Sequence, residues 1–168
     1  MDTKALRSRT VTWEDPLEVV RAGQGRSGLE LLRDMFDQRL PAPPIALTMG
    51  FRGVHVEKGK AVFEGEPAEY LYNPIGVVHG GFAMALLDSA MGCAVHSTMA
   101  AGERYTTLEV KANFVRPITV DTGLVRCDGV VIHRGGTVAT AEGRLYAAGT
   151  GKLLAHGTTT CLIIPATR

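Results

Sequence analysis

No excess of charge of either sign marks this chain: its 168 residues carry 18 Lys and Arg against 17 Asp and Glu, a formal net charge of +1. The first fifty residues balance as well, seven basic against seven acidic. That leaves no basic field for nucleic acid or for an anionic membrane. Long apolar runs are missing too. The most apolar stretch, 82–95, is too short to span a bilayer and is interrupted by Asp88, Ser89 and Gly92. Cysteine is scarce, with Cys93, Cys127 and Cys161 scattered and no CxxC among them. They read as buried free thiols of a protein in the reducing cytoplasm. The four serines include none in a GxSxG, which excludes the nucleophile elbow of serine hydrolases. "GTGK" at 149–152 lacks the spacing and the trailing Ser or Thr of a phosphate loop. There is no HExxH and no Cys/His ligand spacing, so neither a metal nor another cofactor is expected, and His55, His96, His133 and His156 read as structural or surface residues.

What is present fits about one domain. Residues 1–26 show no sustained period and include the flexible-looking "RAGQGRSG", a loosely held start to an N-terminal extension over 1–44. Within it "SGLE" is a capping box at Ser27, and Leu29, Leu32, Phe36 and Leu40 form one stripe, which predicts an amphipathic helix over about 27–40. "PAPP" at 41–44 stops it. From Ile45 a second unit, 45–168, reads as strands. "MGFRGVHVEKGKAVFEGE" alternates about a turn near Lys58–Lys60, and four more strands follow over 104–116, 122–133, 136–147 and 153–164. Between them lies one long apolar helix over 79–98. An α+β fold, with an antiparallel sheet wrapped around that single central helix, buries all of this most economically.

The central helix poses the functional question. Phe82, Met84, Ala85, Leu86, Leu87, Ala90, Met91, Cys93, Ala94 and Val95 leave it no polar face, so it should be covered nearly all round. Yet Asp88 sits in its middle, the only formal charge between Tyr70 and Gly102. A buried, unpaired carboxylate costs several kcal/mol. Either a distant Arg or a wet subunit interface relieves it, or it is kept for chemistry. "HGG" at 79–81 favours chemistry. Glycines at the start of a helix leave its first N–H groups approachable, at the positive end of the macrodipole, where a carbonyl oxygen gaining charge can be held. Gly80 and Asp88 are eight residues apart, about 12 Å along a helix. One carbonyl needs its oxyanion donor and its nucleophile or base each within roughly 3 Å. One helix cannot supply both. Two antiparallel copies can, which predicts a homodimer with two equivalent sites.

"NPIGVVHGG", with "LLD" ending nine residues after its His, resembles the hotdog-fold acyl-CoA thioesterases of the phenylacetic-acid-degradation (PaaI-like) family. The resemblance covers about 45–164, including "TLEVKANFVRP" and "VIHRGGTVA", and leaves 1–40 outside. It implies hydrolysis of acyl- or aryl-CoA thioesters to the free acid and coenzyme A, in a cytoplasmic homo-oligomer whose dimers pack into a tetramer. It implies Asp88 as the catalytic carboxylate, as nucleophile or as base on water. Gly80 would be the backbone oxyanion donor, Asn73 an assisting amide, and His79 the residue that orders the loop. Thr107 would orient water, with Thr106 the neighbouring alternative because the helix-to-strand loop is one residue longer than in some relatives. Substrate contacts are implied at Gly81, Arg116, Pro117, Arg134, Gly135 and Gly136, the arginines on the phosphates of coenzyme A. Simple alternation sets Leu108, Val110, Ala112 and Phe114 on one strand face, and Thr107 with Glu109 on the other. Hotdog dehydratases set their His in other contexts than "HGGF". The alternative of a different class is a hotdog protein that binds or senses acyl-CoA without turning it over, which gains nothing from a buried acid.

Overall fold

The computed structural model describes residues 5–166. Three short helices come first: α1 (Leu17–Ala22), α2 (Gly28–Phe36) and α3 (Pro44–Met49). The capping box at Ser27 forms, the Ser27 N–H donating to the Glu30 carboxylate at 2.9 Å and the Glu30 N–H to the Ser27 hydroxyl, and it sets the start of α2. The helix expected over 27–40 ends at Phe36, because Gln38 takes a left-handed φ of 59° and turns the chain. Nor is the stretch before it loose throughout. α1 forms, and Arg9 lies 3.9 Å over the Tyr70 ring while donating to the Leu47 and Thr48 carbonyls. Those carbonyls belong to the last turn of α3, where unpaired acceptors favour a cation. The prolines read as a stop also start a helix. Pro44 occupies the first position of α3, where a missing N–H costs nothing, so strands begin at Phe51 rather than at Ile45.

β1 (Phe51–Glu57) and β2 (Lys60–Gly65) make the expected hairpin, and α4 (Gly80–His96) is the expected long helix. β3 (Arg104–Phe114), β4 (Val125–Arg134), β5 (Val138–Ala147) and β6 (Leu153–Ile164) follow. All six strands join one antiparallel sheet in the order β1-β2-β4-β5-β6-β3, packed around α4 in the hotdog arrangement expected above. Residues 167 and 168 of the expected second unit lie outside the described residues. Among the described residues no helix is long and apolar enough to cross a membrane.

A row of small residues seats the helix. Ala61 pairs with Gly129, Gly129 with Gly143, Gly143 with Gly157 and Gly157 with Ala112. Register partners share a sheet face, so the row crosses the sheet as a shallow groove. A Cβ on Gly129 would lie 2.3 Å from the Ala90 carbonyl oxygen; there the helix backbone rests directly on the strand. Phe82, Leu86, Leu87, Ala90, Met91, Ala94 and Val95 are fully buried against this surface. Cover all round was expected, and the structure corrects it. One sheet covers one side, and the start of α2 covers the far end, where Gly28 abuts the His96 carbonyl. The side carrying Met84, Ala85, Asp88, Ser89 and Cys93 is only partly covered, and Asp88 itself is exposed.

Gly129→Ala should cost roughly 1–3 kcal/mol, since the added methyl has backbone in front of it. Gly143→Ala should cost less, because its methyl meets the flexible Leu87 and Met91 side chains at 3.0 Å. Urea denaturation of both variants reads the order, and equal losses would show that the helix shifts freely in its groove.

Candidate active site

The N-terminus of α4 is built by its own loop. The Asn73 N–H donates to the Val77 carbonyl at 2.8 Å, and the Asn73 side-chain oxygen accepts from the N–H groups of Ile75 (3.1 Å) and Val77 (3.3 Å). The amide end of Asn73 has no partner among the described residues. His79 is the N-cap of α4, and its Nδ1 accepts from the Gly81 N–H at 2.8 Å. A Cβ on Gly81 would lie 2.9 Å from that same nitrogen, so the cap needs glycine there. The outcome separates two neighbours. The Gly81 N–H is taken, whereas the Gly80 N–H has no hydrogen-bond partner among the described residues. Val78 donates to the Ile118 carbonyl at 2.9 Å, which brings Arg116 and Pro117 to this end of the helix. Arg116 is exposed and donates to the Leu153 carbonyl at 2.6 Å.

Asp88 lies two turns along. Its Oδ1 accepts from the Thr107 hydroxyl at 3.1 Å. Simple alternation set Thr107 on the opposite strand face from Val110 and Ala112, and the structure corrects this. The register of β3 against β6 shifts between Thr107 and Glu109, so Leu108 is an extra residue and the faces exchange there. Tyr105 and Thr107 before the bulge, and Val110, Ala112 and Phe114 after it, all turn toward α4: Tyr105, Val110 and Ala112 pack on the core, and the Phe114 ring lies against Gly80. Thr106 is exposed and bonds to none of these groups.

Asp88 and Thr107 open onto a cavity of about 860 Å³, walled on their side also by Ser89, Cys93 and Tyr105. Burial, reinforced by the Asp88 carboxylate, pushes the Cys93 thiol up to about 12. Burial likewise raises the Tyr105 phenol well above its ordinary value. Both stay protonated at neutral pH and add no charge to this wall. Ser89, Cys93 and Tyr105 were not singled out from the sequence. Tyr105 carried a signal, since it alternates with Thr107 along the strand, whereas Ser89 and Cys93 do not stand at the i+3 or i+4 spacing from Asp88 that would have marked them.

A single chain does not bring the remaining residues together. Arg134 pairs with Glu103 at 2.7 Å and also donates to the Gly135 carbonyl, and the Gly135 N–H closes its turn on Val138 at 2.8 Å. The Ala100 N–H and the Arg134 guanidinium together hold the Glu103 carboxyl below its usual range. Arg134, Gly135 and Gly136 thus sit beyond the C-terminal end of α4, the whole helix away from Gly80. Gly80 in turn is eight residues, about 12 Å of helix, from Asp88.

A family model described as the thioesterase superfamily matches residues 75–154. A 1,4-dihydroxy-2-naphthoyl-CoA hydrolase of Listeria monocytogenes is 34% identical over 88 residues, which are 52% of this chain and 70% of that protein. Among solved structures, a conserved protein of Pseudomonas aeruginosa is 31% identical with a TM-score of 0.68, over 73% of this chain and 95% of its own. A phenylacetic acid degradation-related protein of Ralstonia eutropha is 30% identical with a TM-score of 0.69, over 77% and 97% respectively.

The cap supports a stability test of the helix terminus. His79→Ala should cost about 1 kcal/mol, the usual worth of an N-cap bond, whereas Gly81→Ala keeps its N–H and sets a methyl against the His79 ring, a loss that the better helix propensity of alanine partly offsets. The His79 ring is all that the methyl meets, so with His79→Ala already in place Gly81→Ala should cost nothing further or regain stability. Additive losses in denaturant titrations would show that the His79–Gly81 contact is not what holds this terminus.

Proposed function

The chain belongs to the thioesterase superfamily, and we propose that it hydrolyses acyl- or aryl-CoA thioesters to the free acid and coenzyme A. One observation carries the reading: the only charged side chain of the central helix before its terminal His96 opens onto a cavity with a hydroxyl at 3.1 Å. Asp88 either attacks the thioester carbonyl, giving an acyl-enzyme that water then opens, or takes a proton from water that Thr107 helps to orient. In both routes the C–S bond breaks, the sulfur leaves as thiolate and is protonated, and the carbonyl oxygen carries charge in the transition state. The unpartnered Gly80 N–H, assisted by the free amide of Asn73, supports that charge. Arg116 lies near the same helix end and suits the phosphates of coenzyme A.

Because Gly80 and Asp88 of one helix are about 12 Å apart, each site in this reading takes Gly80 from one chain and Asp88 from the other. β3 supports the pairing. It is a sheet edge of 11 residues with a free hydrogen-bonding side, and Leu108 and Phe114 along it are each more than half exposed. An antiparallel second copy would also carry its Arg134–Gly136 turn toward the Gly80 end.

Asp88→Asn should fold normally and lower kcat roughly 10²–10⁴-fold while substrate affinity persists. Free-thiol release from a panel of CoA thioesters measures it. Near-normal turnover by the folded variant would remove Asp88 from the mechanism. Wild type that binds acyl-CoA without releasing thiol from any thioester would shift the reading to a sensor.

Co-expression tests the shared site. Asp88→Asn and Gly80→Val, the latter covering the bare N–H, should each be inactive alone, yet their heterodimers should regain up to one working site of two. Verified heterodimers without activity would place the whole site within one chain.

A further inference from the structure

Most of the lining of the cavity that Asp88 opens onto lies outside residues 75–154, the span that the family model matches. More than half of its lining lies before residue 50, most of that in the turn after α2 and in α3 and the rest at Glu14, Glu18 and the end of α2. This segment is held at several points. The Phe36 ring packs edge-on to Phe63 at 5.2 Å between centroids, and it fills the space left by Gly53, where a Cβ would lie 2.3 Å away. Asp34 accepts from Arg26 and Arg39 at 2.7 Å each, which clamps the chain reversal at Gln38. Arg9 pins the end of α3. The wall is therefore a fixed surface, stiffened by Pro41, Pro43 and Pro44.

Its chemistry combines apolar side chains with a balanced set of charges. Leu40, Pro41, Ile45 and Leu47 face the cavity, and Ile45 remains 54% exposed. The charged lining residues on this side are Glu14 and Glu18 against Arg39 and Arg52, two of each sign. That lining therefore carries no excess of either sign. A volume of about 860 Å³ is also far more than a two-carbon acyl group fills, and a half-empty apolar site gives such a group little binding.

We propose that residues 35–47 form the acyl-side wall of the Asp88 cavity and select bulky, uncharged acyl groups, aryl groups included, over short ones. The inference rests on Asp88 being the reacting carboxylate, and it makes the N-terminal extension the specificity element of the site. Discrimination of this kind comes from filled apolar volume, where each missing methylene is worth about tenfold or more.

Binding of two non-hydrolysable thioethers, phenacyl-CoA and S-ethyl-CoA, tests it by calorimetry on the full chain. Wild type should bind phenacyl-CoA at least about tenfold tighter. Ile45→Trp, which fills the cavity from a half-exposed position, should abolish most of that preference and leave S-ethyl-CoA affinity unchanged. Ile45→Ala adds no bulk and should weaken phenacyl-CoA alone, by about threefold; it reports even if the Trp variant folds poorly. Leu6→Trp, on a side chain 97% exposed and outside the cavity, should change nothing. Equal wild-type affinity for the two thioethers, or a preference that survives both Ile45 substitutions, overturns the inference. Thiol release from phenylacetyl-CoA and acetyl-CoA separates it from the reading beneath it. A wild type that prefers phenacyl-CoA but hydrolyses no thioester keeps the wall and loses the hydrolase; one that hydrolyses thioesters but binds both thioethers alike keeps the hydrolase and loses the wall.

Discussion

The contact between the Ala90 carbonyl and Gly129 governs the rest of the molecule. A helix backbone can lie this close to a strand only where the strand has no side chain, and the row Ala61–Gly129–Gly143–Gly157–Ala112 provides such a track. With Ala90 seated, the rotation of α4 about its axis is no longer free. Successive residues turn by about a hundred degrees. Leu87 is therefore driven into the sheet, fully buried, while Asp88 is carried out onto the open side. The carboxylate avoids the desolvation that a fully wrapped helix would impose, and it stays next to apolar walls.

A second constraint aims its partner. Strict alternation along β3 would turn Thr107 away from the helix as soon as Val110 and Ala112 faced it. The extra residue at Leu108 lets both halves of the strand face α4, at the cost of leaving Leu108 itself exposed on the sheet edge. Bulges often re-aim a side chain beside a site in this way. Here the result is the 3.1 Å bond between Thr107 and Asp88. The exposed Leu108 is the other half of the same event, and in the proposed dimer the second chain covers it.

Most of the fold was legible in the sequence because its signals are local. The capping box at Ser27, the alternation around Lys58–Lys60 and the apolar run after His79 each report on neighbours within a turn or a strand pair. What went unread depends on distant contacts. α3 depends on Pro44 at a helix start and on Arg9, far away in sequence, meeting its carbonyls. The end of α2 depends on Asp34 drawing two arginines around a reversal. Complete burial of α4 was inferred from composition, but composition says nothing of how many layers exist to cover a helix. The bulge at Leu108 leaves no local mark, since "TLEVKANF" alternates acceptably without it. At the site, Asp88 and the glycines of "HGG" stood out by type. That the cap engages Gly81 and leaves Gly80 bare emerges only from the direction of the His79 ring.

That difference between adjacent glycines bears on how the proposed site is assembled. A helix start presents several unpaired N–H groups, and a cap normally satisfies one of them. His79 takes the donor at Gly81, so the group left bare is the one nearest the loop, on the residue that the Phe114 ring packs against. A bare donor and an exposed carboxylate on one rigid helix cannot move toward each other. Whatever joins them must come from outside the helix, and the free edge of β3 lies beside both, with Phe114 at the Gly80 end and Thr107 at Asp88. In the proposed dimer the strand that aims Asp88 is also the strand that recruits the second chain. The chemistry and the assembly then share one element, while the N-terminal wall, on the β1 side of the helix, is left free to set the size of the acyl group.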